Sequence, residues 1–339
     1  MASSRKRRLE NIQSVEHIPA AIKATLAALH KPAAESLCAI ALSGGLDSTV
    51  LLHAAIKALG HARCVAVHIH HGLNPNADHW LAHCRALAQD WGVRFAARRI
   101  DVDARVRQRR GTEAAAREAR YPALASLCAA HGARLVLLGH QADDQAETVL
   151  LQLLRGAGLP GLAAMPVQKI DLVSGLLYLR PLLHIPRALI RRYAVARGLR
   201  WIEDDSNKDA RYTRNRVRQT LIPPLAADFP AYRVTLARTA RHAQQAQNLL
   251  DELARMDLQQ VAHDMHHRTL SRARFNALNP ARAMNLLRYW MRVLGLPMAS
   301  NARFEAMLRQ LRDARASRVT AMHHSGRRLH VYKDQIWWG

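Results

Sequence analysis

Leu42-Ser43-Gly44-Gly45-Leu46-Asp47-Ser48-Thr49 is a loop of small residues held between two apolar segments, and its reading decides the fold. Before it, Leu37 to Leu42 is a short apolar run of the kind that forms a buried strand. After it, Val50, Leu51, Leu52, Ala55, Ile56 and Leu59 recur at helical spacing. The loop therefore joins the carboxyl end of a strand to the start of a helix. Unpaired backbone N–H groups and the positive end of the helix dipole meet at such a junction, which suits a phosphate. Two adjacent glycines let an anion approach the backbone, Ser43 and Ser48 add hydroxyls, and Asp47 stands where it can hold a cation beside phosphates. The competing reading is a tight turn with an Asp/Ser helix cap. No G-x-x-x-x-G-K-[ST] string occurs anywhere, so this is not a Walker loop.

Outward from the loop the pattern alternates. Strands are expected at Leu37 to Leu42, Cys64 to Ile69, Val93 to Ile100, Leu135 to Leu138 and Leu176 to Leu179. Helices are expected between them at Ser48 to Leu59, Ala77 to Trp91, Thr112 to Ala130, Asp143 to Leu154 and Arg187 to Arg197. Short apolar strands separated by helices predict an α/β domain with a parallel, Rossmann-like sheet covered on both faces, whose ligands gather at the strands' carboxyl ends. After Trp201 the alternation stops. Pro223-Pro224 and Phe229-Pro230 lead into helical patterns at Tyr232 to Arg255, Ala281 to Leu294 and Ala302 to Leu311, with one terminal strand at Arg328 to Tyr332. The expected organisation is an N-terminal extension (1–36), a catalytic α/β domain (37–228) and a smaller, mainly helical C-terminal domain (229–339).

Composition narrows the class. An apolar content of 49% suffices for ordinary cores, and no run approaches the eighteen or so apolar residues of a membrane span. The basic start, Met1 to Glu10, lacks a following apolar core and does not read as a secretory signal. Cys38, Cys64, Cys84 and Cys128 are scattered without a C-x-x-C pair, so a reducing cytoplasm is the expected setting. The net charge is +24; residues 1–179 hold 21 basic and 14 acidic residues, whereas residues 180–339 hold 29 and 12. Arginine bias explains the choice of Arg over Lys but not the deficit of acids. The second half is thus the expected nucleic-acid-binding half.

Several further stretches carry chemistry. His68 and His70 share one face of the second strand, with His71, His79, His83 and Cys84 close by; a histidine-rich strand end lining a nucleotide pocket is a simpler account than a metal site. Gly139-His140-Gln141-Ala142-Asp143-Asp144-Gln145-Ala146-Glu147 hands the fourth strand to a helix with acids in its first turn. These are either N-terminal stabilisers or, being at the same sheet edge as the loop, holders of magnesium or of a substrate ammonium. Arg117 and Arg120, three apart on a helix, can clamp phosphates or pair with Glu113 and Glu118. Gly156 to Gly161 formally matches G-x-G-x-x-G but follows a helix and contains a proline, so it is no dinucleotide fingerprint. The acidic turn Glu203 to Asn207, followed by Arg211, Tyr212, Arg214, Asn215 and Arg218, is an RNA contact or a capped turn.

Together these stretches resemble the tRNA(Ile)-lysidine synthetases, members of the N-type ATP pyrophosphatases with an adenine nucleotide alpha hydrolase-like sheet. The resemblance runs over roughly residues 37–225: Ser43 to Ser48, His70 to Leu73, Arg117 to Tyr121, Gly139 to Thr148 with Arg155-Gly156, and Arg180 to Leu183 with Asp205 to Asn207 and Arg214-Asn215-x-x-Arg218. It implies an enzyme that uses ATP and magnesium to adenylate the wobble cytidine of an isoleucine tRNA with a CAU anticodon. Free L-lysine then displaces AMP, giving lysidine. Carried over residue by residue, it implies ATP binding by Ser43, Gly44, Gly45, Leu46, Asp47, Ser48, His70 and Gly139. It implies catalytic roles for Asp47, Asp144, Glu147 and Arg117, magnesium at Asp47 and Asp144, and tRNA contacts from Arg211, Arg214, Asn215 and Arg218. Gln141 stands where the family often has a second His, and the chain ends one domain short of the longer members. The rival readings are a tRNA thiolase with the same loop and a non-catalytic tRNA-binding protein. No obligate protein partner and no membrane are expected, and a homodimer is compatible with the sequence.

Overall fold

The computed structural model describes residues 15–29, 36–101, 112–171, 173–204, 209, 211–264, 266, 268–313 and 320–339. Two compact units are formed, Met1–Ala240 and Arg241–Gly339. In the first, helix α1 (His17–Ala27) places Ile18, Ile22 and Leu26, spaced four apart, into the core beneath strand β1 (Cys38–Ala41). There follow α2 (Leu46–Leu59), β2 (Cys64–His70), α3 (Ala77–Asp90), β3 (Arg94–Arg99), α4 (Thr112–Ala130), β4 (Leu135–Leu137), α5 (Ala142–Leu154), β5 (Gln168–Ile170), β6 (Leu177–Leu179) and α6 (Arg187–Ala196).

The sheet order is β3-β2-β1-β4-β6-β5. All pairings are parallel except that of β5 with β6. Cys38, Ile40 and Leu42 pack on one face with α1, α2 and α6, while Ala39 points the other way, among Val65, Val67, Leu124 and Tyr178. Burial on both faces is why β2 is buried at all seven positions and reads as apolar from Cys64 to Val67, before His68 and His70 bring ring nitrogens to its carboxyl end. β5 was not foreseen: all three residues are exposed, and Gln168 and Lys169 leave Ile170 as its single apolar residue, too little to mark a strand. Chain order reverses between β1 and β4, the switch point at which ligands of open α/β sheets bind. The Ser43–Ser48 loop follows β1 there, and the acidic turn follows β4.

Beyond α6 the chain forms Thr213–Arg216, a π-helical turn Val217–Leu221 and Ile222–Asp228. Pro223 and Pro224 supply no N–H to the carbonyls of Gln219 and Thr220, and the turn before them widens. Helix α7 (Tyr232–Val261) then runs from the first unit into the second.

The second unit contains helices α8 (Pro280–Val293) and α9 (Asn301–Asp313), as the pattern predicts. It also holds an antiparallel sheet of β7 (Thr269–Ser271), β8 (Thr320–His324), β9 (Arg327–Tyr332) and β10 (Gln335–Trp338), in the order β7-β10-β9-β8, where the sequence suggested a single strand. Leu270, Met322, Leu329, Val331 and Ile336 of this sheet turn into the core with Trp290, Phe275 and Phe304, and Trp338 packs partly against it; Arg and His at many of the other positions hide the strands. The β8–β9 turn is set by Ser325 and Gly326, both with positive φ (49° and 80°), as a two-residue hairpin requires. Among the described residues no helix is long and apolar enough to cross a membrane.

Candidate active site at the carboxyl edge of the sheet

The Ser43–Ser48 loop is closed by its own hydroxyls. Ser48 Oγ accepts from the Ser43 N–H (3.1 Å), lies 3.0 Å from Ser43 Oγ, and donates to the Gly45 carbonyl (3.0 Å). Thr49 Oγ1 donates to the Gly44 carbonyl (3.3 Å). Gly45 is the N-cap of α2 and no side chain among the described residues caps the helix, so the Asp/Ser-cap reading does not hold and the helix start keeps its pull on an anion. Gly44 has φ +86°, and a Cβ there would meet Ile202 Cδ1 at 3.0 Å and Cys84 Sγ at 3.1 Å. Gly139 is confined differently: its Cβ would lie 3.2 Å from the carbonyl carbon of Asp47 and 3.3 Å from the Ser48 nitrogen. Any side chain there would force the loop backbone to give by a few tenths of an ångström, so glycine suits the close approach of the segment after β4.

Asp47, Asp144 and Glu147 come together at this edge, from the starts of α2 and α5. Gln141 is the N-cap of α5: its Oε1 accepts from the Asp143 (2.5 Å) and Asp144 (3.4 Å) N–H groups, and Asp144 Oδ2 accepts from the Gln141 N–H (3.1 Å). That capping box fixes the Asp144 carboxylate. Glu147 is buried and engaged by Arg218, with Nε to Oε1 at 2.7 Å and Nη2 to Oε2 at 3.0 Å; Arg214 Nε lies 3.7 Å from Oε2. Arg218 Nη2 is also 3.6 Å from Asp144 Oδ1. Asp47 is less well matched. Arg187 Nε is 4.0 Å from its Oδ2, while its buried Oδ1 has no hydrogen-bond partner among the described residues.

Burial, and then the neighbouring Asp144 charge, push the Asp47 carboxyl up to about 7, against the pull of Arg187 and Arg218. Burial likewise raises Asp144 and Glu147 above the ordinary carboxylate range. An orphaned carboxylate oxygen with acids around it is a place for a cation. Among the described residues no group of three or more His, Cys, Asp or Glu could hold a metal. Two carboxylates beside a phosphate loop nevertheless fit magnesium, which takes one or two protein carboxylates and completes its shell with phosphate oxygens and water.

The remaining expected residues are placed as follows. His70 ends β2, buried, its Nε2 3.3 Å from Asp78 Oδ1. His68 lies deeper and bonds the Leu42 carbonyl through Nδ1 (2.8 Å), bracing the strand that enters the loop. Arg214 and Arg218 turn inward to the acids. Arg211 is exposed and forks onto Asp209 (2.7 to 3.0 Å), whose carbonyl also accepts from Asn215 Nδ2 (3.0 Å). Arg117 lies in α4, but its side chain, like all of Asp205 to Asn207, falls outside the described residues. Sequence reasoning did not single out Asp143 as a hub. Its Oδ2 accepts from the Arg187 N–H (2.9 Å) and its Oδ1 from Arg233 Nε (2.6 Å), with Tyr232 Oη at 3.5 Å. The only signal was that Arg187 starts the helix after β6, and so falls at the same edge.

Residues 19–225 match the PP-loop domain family. The tRNA(Ile)-lysidine synthase of Polaromonas naphthalenivorans is 42% identical over 301 residues, which cover 88% of this chain and 86% of that protein. The chain belongs to the tRNA(Ile)-lysidine synthase family. The family's TilS substrate binding domain is matched by residues 270–337, which contain most of the second unit's sheet. Another lysidine synthase family member, from Burkholderia mallei, is 55% identical over 300 residues. The chain spans 61% of that relative's length and 64% of the Ralstonia nicotianae one. The PP-loop fold is shared with the U34-tRNA thiolase NcsA from Methanococcus maripaludis, with TM-score 0.56, 15% identity, and coverage of 67% of this chain and 78% of that one.

Proposed function

We propose that this chain joins free L-lysine to the wobble cytidine of an isoleucine tRNA with a CAU anticodon, through an ATP-adenylated intermediate. One observation carries the reading most: the buried Asp47 Oδ1, without a hydrogen-bond partner among the described residues, in the first turn of the helix that follows the anion loop. A cradle for pyrophosphate next to acids in want of a cation suits adenylation followed by attack of an amine. The family relationship and the basic second half support the tRNA as substrate.

The loop N–H groups and the Ser43 and Ser48 hydroxyls bind the phosphates of ATP and orient the α-phosphorus toward the ring carbonyl oxygen of the cytidine. That oxygen attacks and pyrophosphate leaves. Asp47 and Asp144 would hold magnesium, which supplies charge neutralisation on the phosphates. The lysine side chain arrives as an ammonium attracted by the acids, but only the neutral amine attacks the activated ring carbon and expels AMP. In the metal-free site burial raises both Asp47 and Asp144, so a carboxylate there that is not engaged by the metal is suited to take the ammonium proton. His70 and Gly139 belong to the nucleotide side of the site. Arg214 and Arg218 hold Glu147 in place at the edge that the tRNA approaches. Thiolase chemistry is disfavoured because all four cysteines are buried, with thiols pushed up to about 11 or 12. A cytoplasmic setting goes with this reading.

The test is incubation of the chain with ATP, magnesium, labelled lysine and a CAU-anticodon isoleucine tRNA. Lysine should enter the RNA with stoichiometric AMP and pyrophosphate, and Asp47→Ala should abolish it. Salt-sensitive tRNA binding with no AMP release would leave a binding protein instead.

A further inference from the structure

On the α3 side of the Ser43–Ser48 loop lies an open cleft of about 730 Å³, unused by the chemistry above. One wall is the N-cap residue Asn76 and one face of α3: His79, Trp80 and His83 follow one another at spacings of one and three, so all three point the same way. The other wall is the segment just after α6, Leu199 to Glu203, which brings Arg200, Trp201 and the acidic Glu203 to the cleft, with Ile202 against the loop. Ile202 binds the cleft to the loop: its N–H donates to the Gly44 carbonyl (2.9 Å), and it forms a parallel bridge with Gly45. Gly44 faces this side, since a Cβ there would touch Ile202, Cys84 and His83.

Two features have no structural employment. Trp80 is half-buried yet belongs to none of the three hydrophobic clusters. His83 Nε2 is buried and has no hydrogen-bond partner among the described residues. We propose that this cleft is a subsite for a second nucleobase of the RNA, a neighbour of the cytidine under modification, stacked on Trp80 and read along its edge by the α3 face. The inference rests on the function proposed above. Indoles offer flat faces to any base, and amide and imidazole groups suit base edges; a phosphate would need more cations than Arg200, the only Lys or Arg among the described residues lining the cleft. Burial lowers the His83 pKa, so its ring presents one donor and one acceptor, as base recognition needs.

The experiment is steady-state lysine transfer by the full chain with ATP and magnesium, varying tRNA, ATP and lysine in turn. Loss of one stacked base is worth about 1–3 kcal/mol, so Trp80→Ala should raise the KM for tRNA roughly 5- to 150-fold. The KM values for ATP and lysine should not move, and Trp80→Phe should recover most of the loss, which a merely structural role would not predict. His79→Ala, at an exposed position, should raise the tRNA KM several-fold and serves if Trp80→Ala does not fold. A tRNA KM within twofold of wild type in both alanine variants overturns the subsite. A raised KM for ATP alone also overturns it, because the base would then be adenine. If wild type itself transfers no lysine, the functional reading fails first. The cleft is then decided by tRNA affinity in a filter assay, where equal binding by wild type and Trp80→Ala would refute it.

Discussion

Arg218 grips Glu147 with both arms of its guanidinium, Nε at 2.7 Å from Oε1 and Nη2 at 3.0 Å from Oε2, and so joins the helical segment after α6 to the acidic helix α5. The Glu147 side chain is only 2% exposed. Arg218→Ala should therefore strand a buried carboxylate that Arg214 offsets only partly, at a cost of about 2–4 kcal/mol. The double variant Arg218→Met, Glu147→Gln, which removes both charges, should lose less. Urea unfolding midpoints of the two variants check the order; a double variant less stable than Arg218→Ala would refute it.

Gly139→Ala places a methyl group against the Asp47 and Ser48 backbone, at 3.2 to 3.3 Å. Backbone cannot swing aside as a side-chain end can, so the loop must shift away from β4. A loss of about 1–3 kcal/mol is expected from overpacking. Pyrophosphate release should fall at least tenfold, because a cradle displaced by a few tenths of an ångström no longer orients the phosphates. Thermal melts and a pyrophosphate assay on the same protein separate the two effects.

Asp47 should make the ligand-free protein lose stability as pH rises. Its carboxyl is raised from 3.8 to about 7, so the folded state favours the neutral form. The contribution is complete below about pH 4, where both states are protonated, and is lost as pH rises through the folded value near 7. Asp47→Asn has no such group. Its melting temperature relative to wild type should climb between pH 4 and 8, by the equivalent of about 2–4 kcal/mol at most. A difference that is flat with pH would show that the carboxyl is not so buried in solution.

In the second unit, Asp257 is fully buried and paired with Arg282, whose Nε lies 3.2 Å from Oδ2. Arg282→Ala should cost about 3 kcal/mol through the charge left behind. Arg292, by contrast, meets a half-exposed Asp251 at the surface. Arg292→Ala should cost under about 1 kcal/mol. Calorimetry of both variants, compared with wild type, tests the contrast.

Most of the first unit was legible because parallel strands buried on both faces must be short apolar runs, and their crossover helices must carry apolar stripes. The edge strand β5 and the four-stranded sheet at the end were not. Their strands bury one face or none, and Arg, His and Lys occupy the other positions. Asp47, Asp144 and Glu147 were legible as acids at helix starts following strands, since chain order alone sends such positions to one sheet edge.

What the sequence determined by itself is therefore the loop, its place after a strand, the acids near it and the excess of positive charge. Each depends on residue type and local spacing, which survive any packing. Tertiary structure alone decided who pairs with whom. It turned Arg214 and Arg218 inward onto Glu147, made Asp143 a hub for Arg187 and Arg233, and left Asp47 Oδ1 without a hydrogen-bond partner among the described residues. The pairs formed lie 44 to 90 positions apart, and burial, which sets their electrostatic weight, exists only once those segments have met.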